Sequence, residues 1–342
     1  MIKTISCIFA ILLIQLSIST NALAQDTEGN RYALIVGGIG GEEKYEDLHW
    51  TWSSGTYNVL REEHRIPDDH LYLLVSNPAV DPALPARKST LTMVEQVFDE
   101  LKQKVTASDI LFVILIGHGS ATGSGARLNI PGPDLSSTRL SELMDSISAG
   151  RIVVVNGSSS SGPFIDALSG QDRVIITATK SGGERIATVF PEHFLAALSV
   201  ENSDLDKDGF VSLLEAFTYS RLKTEEWYED QGRLATEHPM LDDNGDQKGS
   251  RDPGGEDIDG ALARTITFGN PTASATLKRA LSPEDSARVA SLELQSRDLQ
   301  NTIDSLKPNS ESLTDEEYNA RLEDLLIGLA RVNREIRTLT LP

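Results

Sequence analysis

Cysteine is nearly absent: Cys7 is the single one in 342 residues, and it sits in an amino-terminal segment that reads as removable. Without that segment the chain can form no disulfide and offers no thiol nucleophile, so the fold must rest on its core or on bound ions. Beyond the same segment no apolar run approaches the roughly 20 residues needed to cross a bilayer, and no membrane span is expected. Basic charge is also scarce, with 31 Lys and Arg against 51 Asp and Glu for a net charge of −20. A field of that sign repels phosphate backbones, which excludes nucleic acid as a partner and suits divalent cations or plain solubility.

What is present begins with Lys3, an apolar run from Ile5 to Ile18, and Thr20-Asn21-Ala22-Leu23-Ala24. These are the n-region, h-region and Ala-x-Ala cleavage site of a signal peptide over residues 1–24, so the mature chain is expected to start near Gln25 and to be periplasmic or secreted. Cys7 lies inside the apolar run and not at the cleavage point, which argues against a lipid-anchored start. The remainder is long enough for one large domain and a smaller appendage.

Strand and helix patterns then alternate. Tyr32–Val36, His70–Val75, Ile110–Ile116, Arg151–Val155 and Asp172–Thr177 read as strands, and Trp50–Glu63, Leu91–Gln103, Leu140–Ile147 and Val189–Leu198 as helices. Continuous Val, Ile and Leu runs without alternation indicate a mostly parallel sheet covered on both faces. Ligands of such sheets gather at the carboxyl ends of the strands, where Gly37, His118 and Ser158 fall. The run Gly37-Gly38-Ile39-Gly40-Gly41 lacks a clean G-x-G-x-x-G spacing and its helix is expected to start late, so it reads as a turn bordering a cleft rather than a dinucleotide site. Gly123-Ser124-Gly125-Ala126 likewise reads as a loop.

Two of these strand ends carry chemistry-bearing residues: Gly117-His118-Gly119-Ser120 and Asn156-Gly157-Ser158-Ser159-Ser160-Ser161-Gly162. Together with the order of elements from about residue 31 to 220, they resemble the caspase-hemoglobinase fold of caspases and legumain-like cysteine peptidases. In that group a His-Gly dipeptide ends one strand and the catalytic cysteine follows the next long strand in an Ala-Cys or Ser-Cys context before Ser-Gly. The resemblance implies an α/β three-layer sandwich, His118 at the base position and Ser158 where cysteine belongs. A cysteine thiolate is available near neutral pH, whereas a serine hydroxyl needs an aligned base, usually fixed by a carboxylate. The sequence identifies no such carboxylate, with Asp166 too close behind the serine run and Glu184 of unknown geometry. If chemistry occurs, His118 takes the Ser158 proton and the N–H groups of Gly119 and Ser158 face the oxyanion. The plain alternative for His118 is a loop histidine bonding nearby backbone.

A calcium loop is read at Asp204-Leu205-Asp206-Lys207-Asp208-Gly209-Phe210-Val211-Ser212-Leu213-Leu214-Glu215. Asp204, Asp206, Asp208 and Glu215 occupy loop positions 1, 3, 5 and 12, Phe210 offers its carbonyl, and Ser212 stands where a water often intervenes. Glycine at position 6 permits the sharp turn. Asp242-Asp243-Asn244-Gly245-Asp246 has the early spacing of a second loop without its glycine and glutamate, and reads equally as a plain turn. Ala261–Phe268 is expected to add an edge strand.

From Leu281 the pattern becomes helical. Ser282-Pro283 starts one helix and Thr314 with Glu317 caps another. Val289, Leu292, Leu299, Ile303 and Leu306, then Tyr318, Leu322, Leu325, Leu329, Val332 and Ile336, predict an antiparallel hairpin with a coiled-coil seam. The expected division is leader 1–24, a caspase/legumain-like domain at 25–270 and a hairpin at 275–342. Three functions compete: a calcium-stabilised binding or scaffold module for a protein or peptide ligand, a serine-dependent peptidase or esterase, and an assembly protein that homo-oligomerises through the hairpin.

Overall fold

The computed structural model describes residues 29–123, 125–205, 210–254, 259–269, 283–306 and 314–340. The expected leader with Cys7, and Asp206 and Asp208 of the calcium loop, lie outside the described residues.

The chain opens with β1 (Arg31–Gly37), α1 (Glu43–Glu62), β2 (Leu71–Val75), β3 (Ala86–Lys88), α2 (Leu91–Lys104) and β4 (Ile110–Ile116). A small antiparallel meander follows, β5 (Gly119–Thr122), β6 (Gly125–Leu128) and β7 (Leu135–Ser136), leading into α3 (Ser137–Asp145). Then come β8 (Arg151–Asn156), α4 (Phe164–Leu168), β9 (Arg173–Thr177), α5 (Phe190–Ala197), α6 (Val200–Ser203), α7 (Leu213–Asp230) and β10 (Met240–Asp242). The last elements are α8 (Ala261–Thr265), α9 (Pro283–Leu306) and α10 (Asp315–Thr340).

The main sheet has seven strands in the order β10-β9-β8-β4-β1-β2-β3, all parallel except β10. Its central strands are apolar on both faces because both faces are covered. Ala33, Ile35, Phe112, Ile114 and Val153 pack with α1, α5 and α7. Leu34, Val36, Leu111, Val113 and Val154 pack with α2, α3 and α4. The result is the expected three-layer α/β sandwich with a largely parallel sheet and C-terminal helices. Strand order reverses at β1, with β2 on one side and β4 on the other, so the ligand position of such a sheet lies above the β1 and β4 ends.

Three expectations need correction. Gly125 and Ala126, read as loop, open β6 and pair with Thr122 and Ala121. Helix α1 starts at Glu43 and not at Trp50. Its first turns hold Glu43, Lys44, Glu46 and Asp47, which hide its apolar stripe, while acidic groups there suit the helix N-terminus. Residues 261–268 are not an edge strand: α8 takes the first five, and only Thr267 reaches an isolated bridge, to Ser212. The sheet edge on that side is β10, paired antiparallel with β9.

Helices α9 and α10 run antiparallel, as expected. Arg288 pairs with Glu335 at 2.7 Å and the Ser296 hydroxyl donates to Asn333 at 2.8 Å. Val289, Leu292, Ile303, Leu329 and Val332 are buried along the seam.

Candidate functional site

Strands β4 and β8 are parallel neighbours, so their carboxyl ends bring the His118 segment and the serine run side by side. Gly119 lets them approach. A Cβ there would sit 2.3 Å from the Ser159 carbonyl oxygen and 2.8 Å from Ser158 Oγ, which forces a shift on any larger residue. The turn after β1 closes the third side, where Gly38 N–H donates to the Ile116 carbonyl at 2.7 Å and Ile39 N–H to that of Asn129 at 3.0 Å. Glu46 secures this turn from α1, its Oε1 accepting the Gly40 N–H at 2.7 Å and its Oε2 the Ser76 hydroxyl at 2.7 Å.

His118 is half-buried and its ring hydrogen-bonds the Gly40 backbone. Tyr45 and His49 meet it edge-on, with ring centres 4.7 and 4.9 Å away. Burial lowers its pKa, against the pull of the Gly40 bond and of Glu42 and Glu46. His49 is driven down to about 4 by burial and then by His118 beside it. Both rings are therefore neutral near pH 7.

Ser158 is wholly buried, and its hydroxyl donates to Asn156 Oδ1 at 2.6 Å. Its N–H donates to the same oxygen at 3.0 Å. The other N–H expected to face an oxyanion, that of Gly119, donates to Ser159 Oγ at 3.1 Å, and this hydroxyl returns to the Gly119 carbonyl at 3.2 Å. Among the described residues no hydrogen bond joins His118 to any serine of the run. Ser160 takes a left-handed backbone (φ 55°) and gives its N–H to the Glu184 carbonyl at 2.7 Å. Ser161 bonds Thr179 at 3.1 Å. Each serine but Ser160 thus has its hydroxyl engaged in holding the turn.

The two carboxylates weighed as orienting groups stand elsewhere. Asp166 is in the first turn of α4. Glu184 holds His238, Oε1 to Nδ1 at 2.5 Å, and also accepts the His238 N–H at 3.2 Å. Sequence reasoning passed over Tyr45, Glu46 and His49. Their one-turn spacing on the helix after the first strand is the signal that places them on a common face.

Tyr45, His49 and His118 border a cleft of about 270 Å³ whose wall also includes Trp52, Trp227 and Tyr228. Its aromatic lining and neutral histidines make it a surface for contact and hydrogen bonding. A poised nucleophile and base pair is not assembled there.

At the calcium loop, Asp204 is 2% exposed and Ser212 caps α7. Glu215 turns both oxygens to the loop, Oε1 accepting the Leu205 N–H at 2.9 Å and Oε2 the Ser212 N–H at 2.9 Å and its hydroxyl at 2.8 Å. Glu215 therefore ties position 2 of the loop to position 9 through hydrogen bonds. Phe210 is half-buried. Among the described residues no three His, Cys, Asp or Glu side chains converge as a metal site; Asp206 and Asp208 lie outside them.

No family model matches the chain and no curated protein is similar to it. Among solved structures it is similar to the crystal structure of drICE, at 11% identity and a TM-score of 0.40, covering 64% of this chain and 88% of that one. It is also similar to protein GSU0716 from Geobacter sulfurreducens, at 9% identity and a TM-score of 0.39, covering 62% and 92%.

Proposed function

We propose that this chain is an exported caspase/legumain-like protein that performs no cysteine peptidase chemistry and binds peptide segments at the strand-end cleft, with a calcium ion bracing its 204–215 loop. The observation that carries the reading is the Ser158 hydroxyl, buried and committed to Asn156 at 2.6 Å, with no hydrogen bond from it to His118 among the described residues. A hydroxyl whose proton goes to an amide oxygen has no base to receive it, and serine without an aligned base is a poor nucleophile. Both oxyanion donors are spent inside the turn, which removes the electrostatic stabilisation that acyl transfer depends on. What the site retains is shape and aromatic surface, the usual makings of a binding pocket.

A serine-reactive fluorophosphonate probe tests this, applied with millimolar calcium to the wild type and to H118A, S158A and S159A. S159A is included because that hydroxyl lies against Gly119. No labelling of any form is expected. Labelling of the wild type that disappears in H118A and in either serine variant would establish a serine hydrolase and overturn the reading.

A further inference from the structure

We propose that the cleft takes the carboxyl terminus of a peptide, with the terminal carboxylate received by Lys44 and Arg233. This deepens the binding reading above and rests on it. Both cations belong to the cleft wall in a chain whose net charge is −20. Each is steadied by a ring of the same wall: Lys44 Nζ lies 5.4 Å from the Tyr45 ring centre and the Arg233 guanidinium 5.9 Å from that of Trp227. Such contacts leave N–H donors free to turn outward. Neither cation forms an ion pair among the described residues, whereas Arg87, Arg139, Arg173 and Arg221 are all paired. Glu192 is the one carboxylate in the lining, while Glu42 and Glu46 act on His118 from nearby. Over most of this acidic surface a peptide carboxylate is repelled, whereas two cations unpaired among the described residues here offer it a partner. A guanidinium also matches a carboxylate with two parallel hydrogen bonds.

The size of the cleft suits one or two residues rather than a long segment. At about 270 Å³ the cleft falls just below the roughly 300–1,000 Å³ of small-ligand pockets. Leu48, Trp52 and Val189 in the same wall offer an apolar surface to the last side chain. Capture of a terminal carboxylate is an established mode of peptide recognition.

The test is fluorescence polarisation of a randomised hexapeptide library prepared in two forms, free acid and carboxyl-terminal amide, against the full chain and K44Q/R233Q. Both replaced side chains are exposed, so an unchanged circular dichroism spectrum should confirm that the variant folds. The free acid is expected to bind about tenfold more tightly than the amide or better, since bonds to a charged group are the strong ones. That preference should vanish in the double variant and weaken with salt. Equal binding of acid and amide would sink this inference while leaving peptide binding intact, as would a preference for amidated peptides rich in Asp and Glu. Absence of binding by either form would sink the peptide-binding reading beneath it.

Discussion

Glu237 is 2% exposed, and its carboxylate faces the first turn of α5. Oε1 accepts the Val189 N–H at 2.8 Å and the Tyr228 hydroxyl at 3.1 Å, and Oε2 accepts the Phe190 N–H at 3.2 Å. Burial still wins and pushes its pKa up to about 7, with the nearby Glu184 charge adding to the rise. A carboxyl whose pKa rises on folding contributes stability that is fully present below about 4.5 and lost as pH climbs through about 7. A rise of that size corresponds to something on the order of 3 kcal/mol. E237Q keeps an acceptor but cannot ionise, so it should be more stable than the wild type at pH 8 and nearly level with it at pH 4. Urea unfolding at both pH values checks this, and parallel pH profiles for the two proteins would refute it. This residue also shows where reading the sequence stops. The type and position of Ser158 were legible, since a strand run followed by small residues announces a turn at the sheet's carboxyl edge. The direction of its hydroxyl was not, because Asn156 competes for it through a local geometry that spacing does not fix. Glu237 reaches Val189 across 48 residues, and no local pattern reports such a contact.

At the scale of elements, α7 links the expected calcium loop to the cleft, since it begins after Ser212 and carries Trp227 and Tyr228 near its other end. Ser212 accepts the Glu215 N–H at 3.2 Å while Glu215 accepts the Ser212 N–H in return, which satisfies two donors that the helix start would otherwise leave bare. S212A should therefore cost about 1 kcal/mol, and S212T, which keeps the hydroxyl, clearly less. Chemical denaturation of the two variants measures this, and equal losses would show that the cap contributes nothing. The five long strands were legible because parallel strands covered on both faces must be apolar at every position. The meander β5–β7 was not, since Gly119, Ser120 and Thr122 on β5 carry no alternation and β7 has only two residues. Strand β10 has three residues and one partner, too short for any periodicity to register.

Taken whole, the molecule carries a net charge of −20, and self-repulsion of that size makes any salt stabilising through screening alone. A bound calcium must therefore be distinguished from ionic strength. The sequence puts carboxylates at positions 1, 3, 5 and 12 of the 204–215 loop, the pattern from which calcium is proposed, and Glu215 joins Leu205 to Ser212 by hydrogen bonds. Under the proposed export, an affinity in the range of roughly 10⁻⁴ to 10⁻³ M suffices. Calcium at 100 times Kd would then stabilise the fold by about 2.7 kcal/mol, and in a domain of this size each kcal/mol moves the melting temperature by roughly 2–4 °C. The metal-stripped protein should melt several degrees higher in calcium than in magnesium at matched ionic strength, because magnesium gives up its waters reluctantly and demands a tighter octahedral shell. D208N removes the charge of one proposed ligand and should abolish most of that difference while leaving the response to sodium chloride unchanged. Equal shifts with calcium and magnesium would reduce the effect to screening, and a full calcium shift in D208N would place the ion somewhere other than this loop.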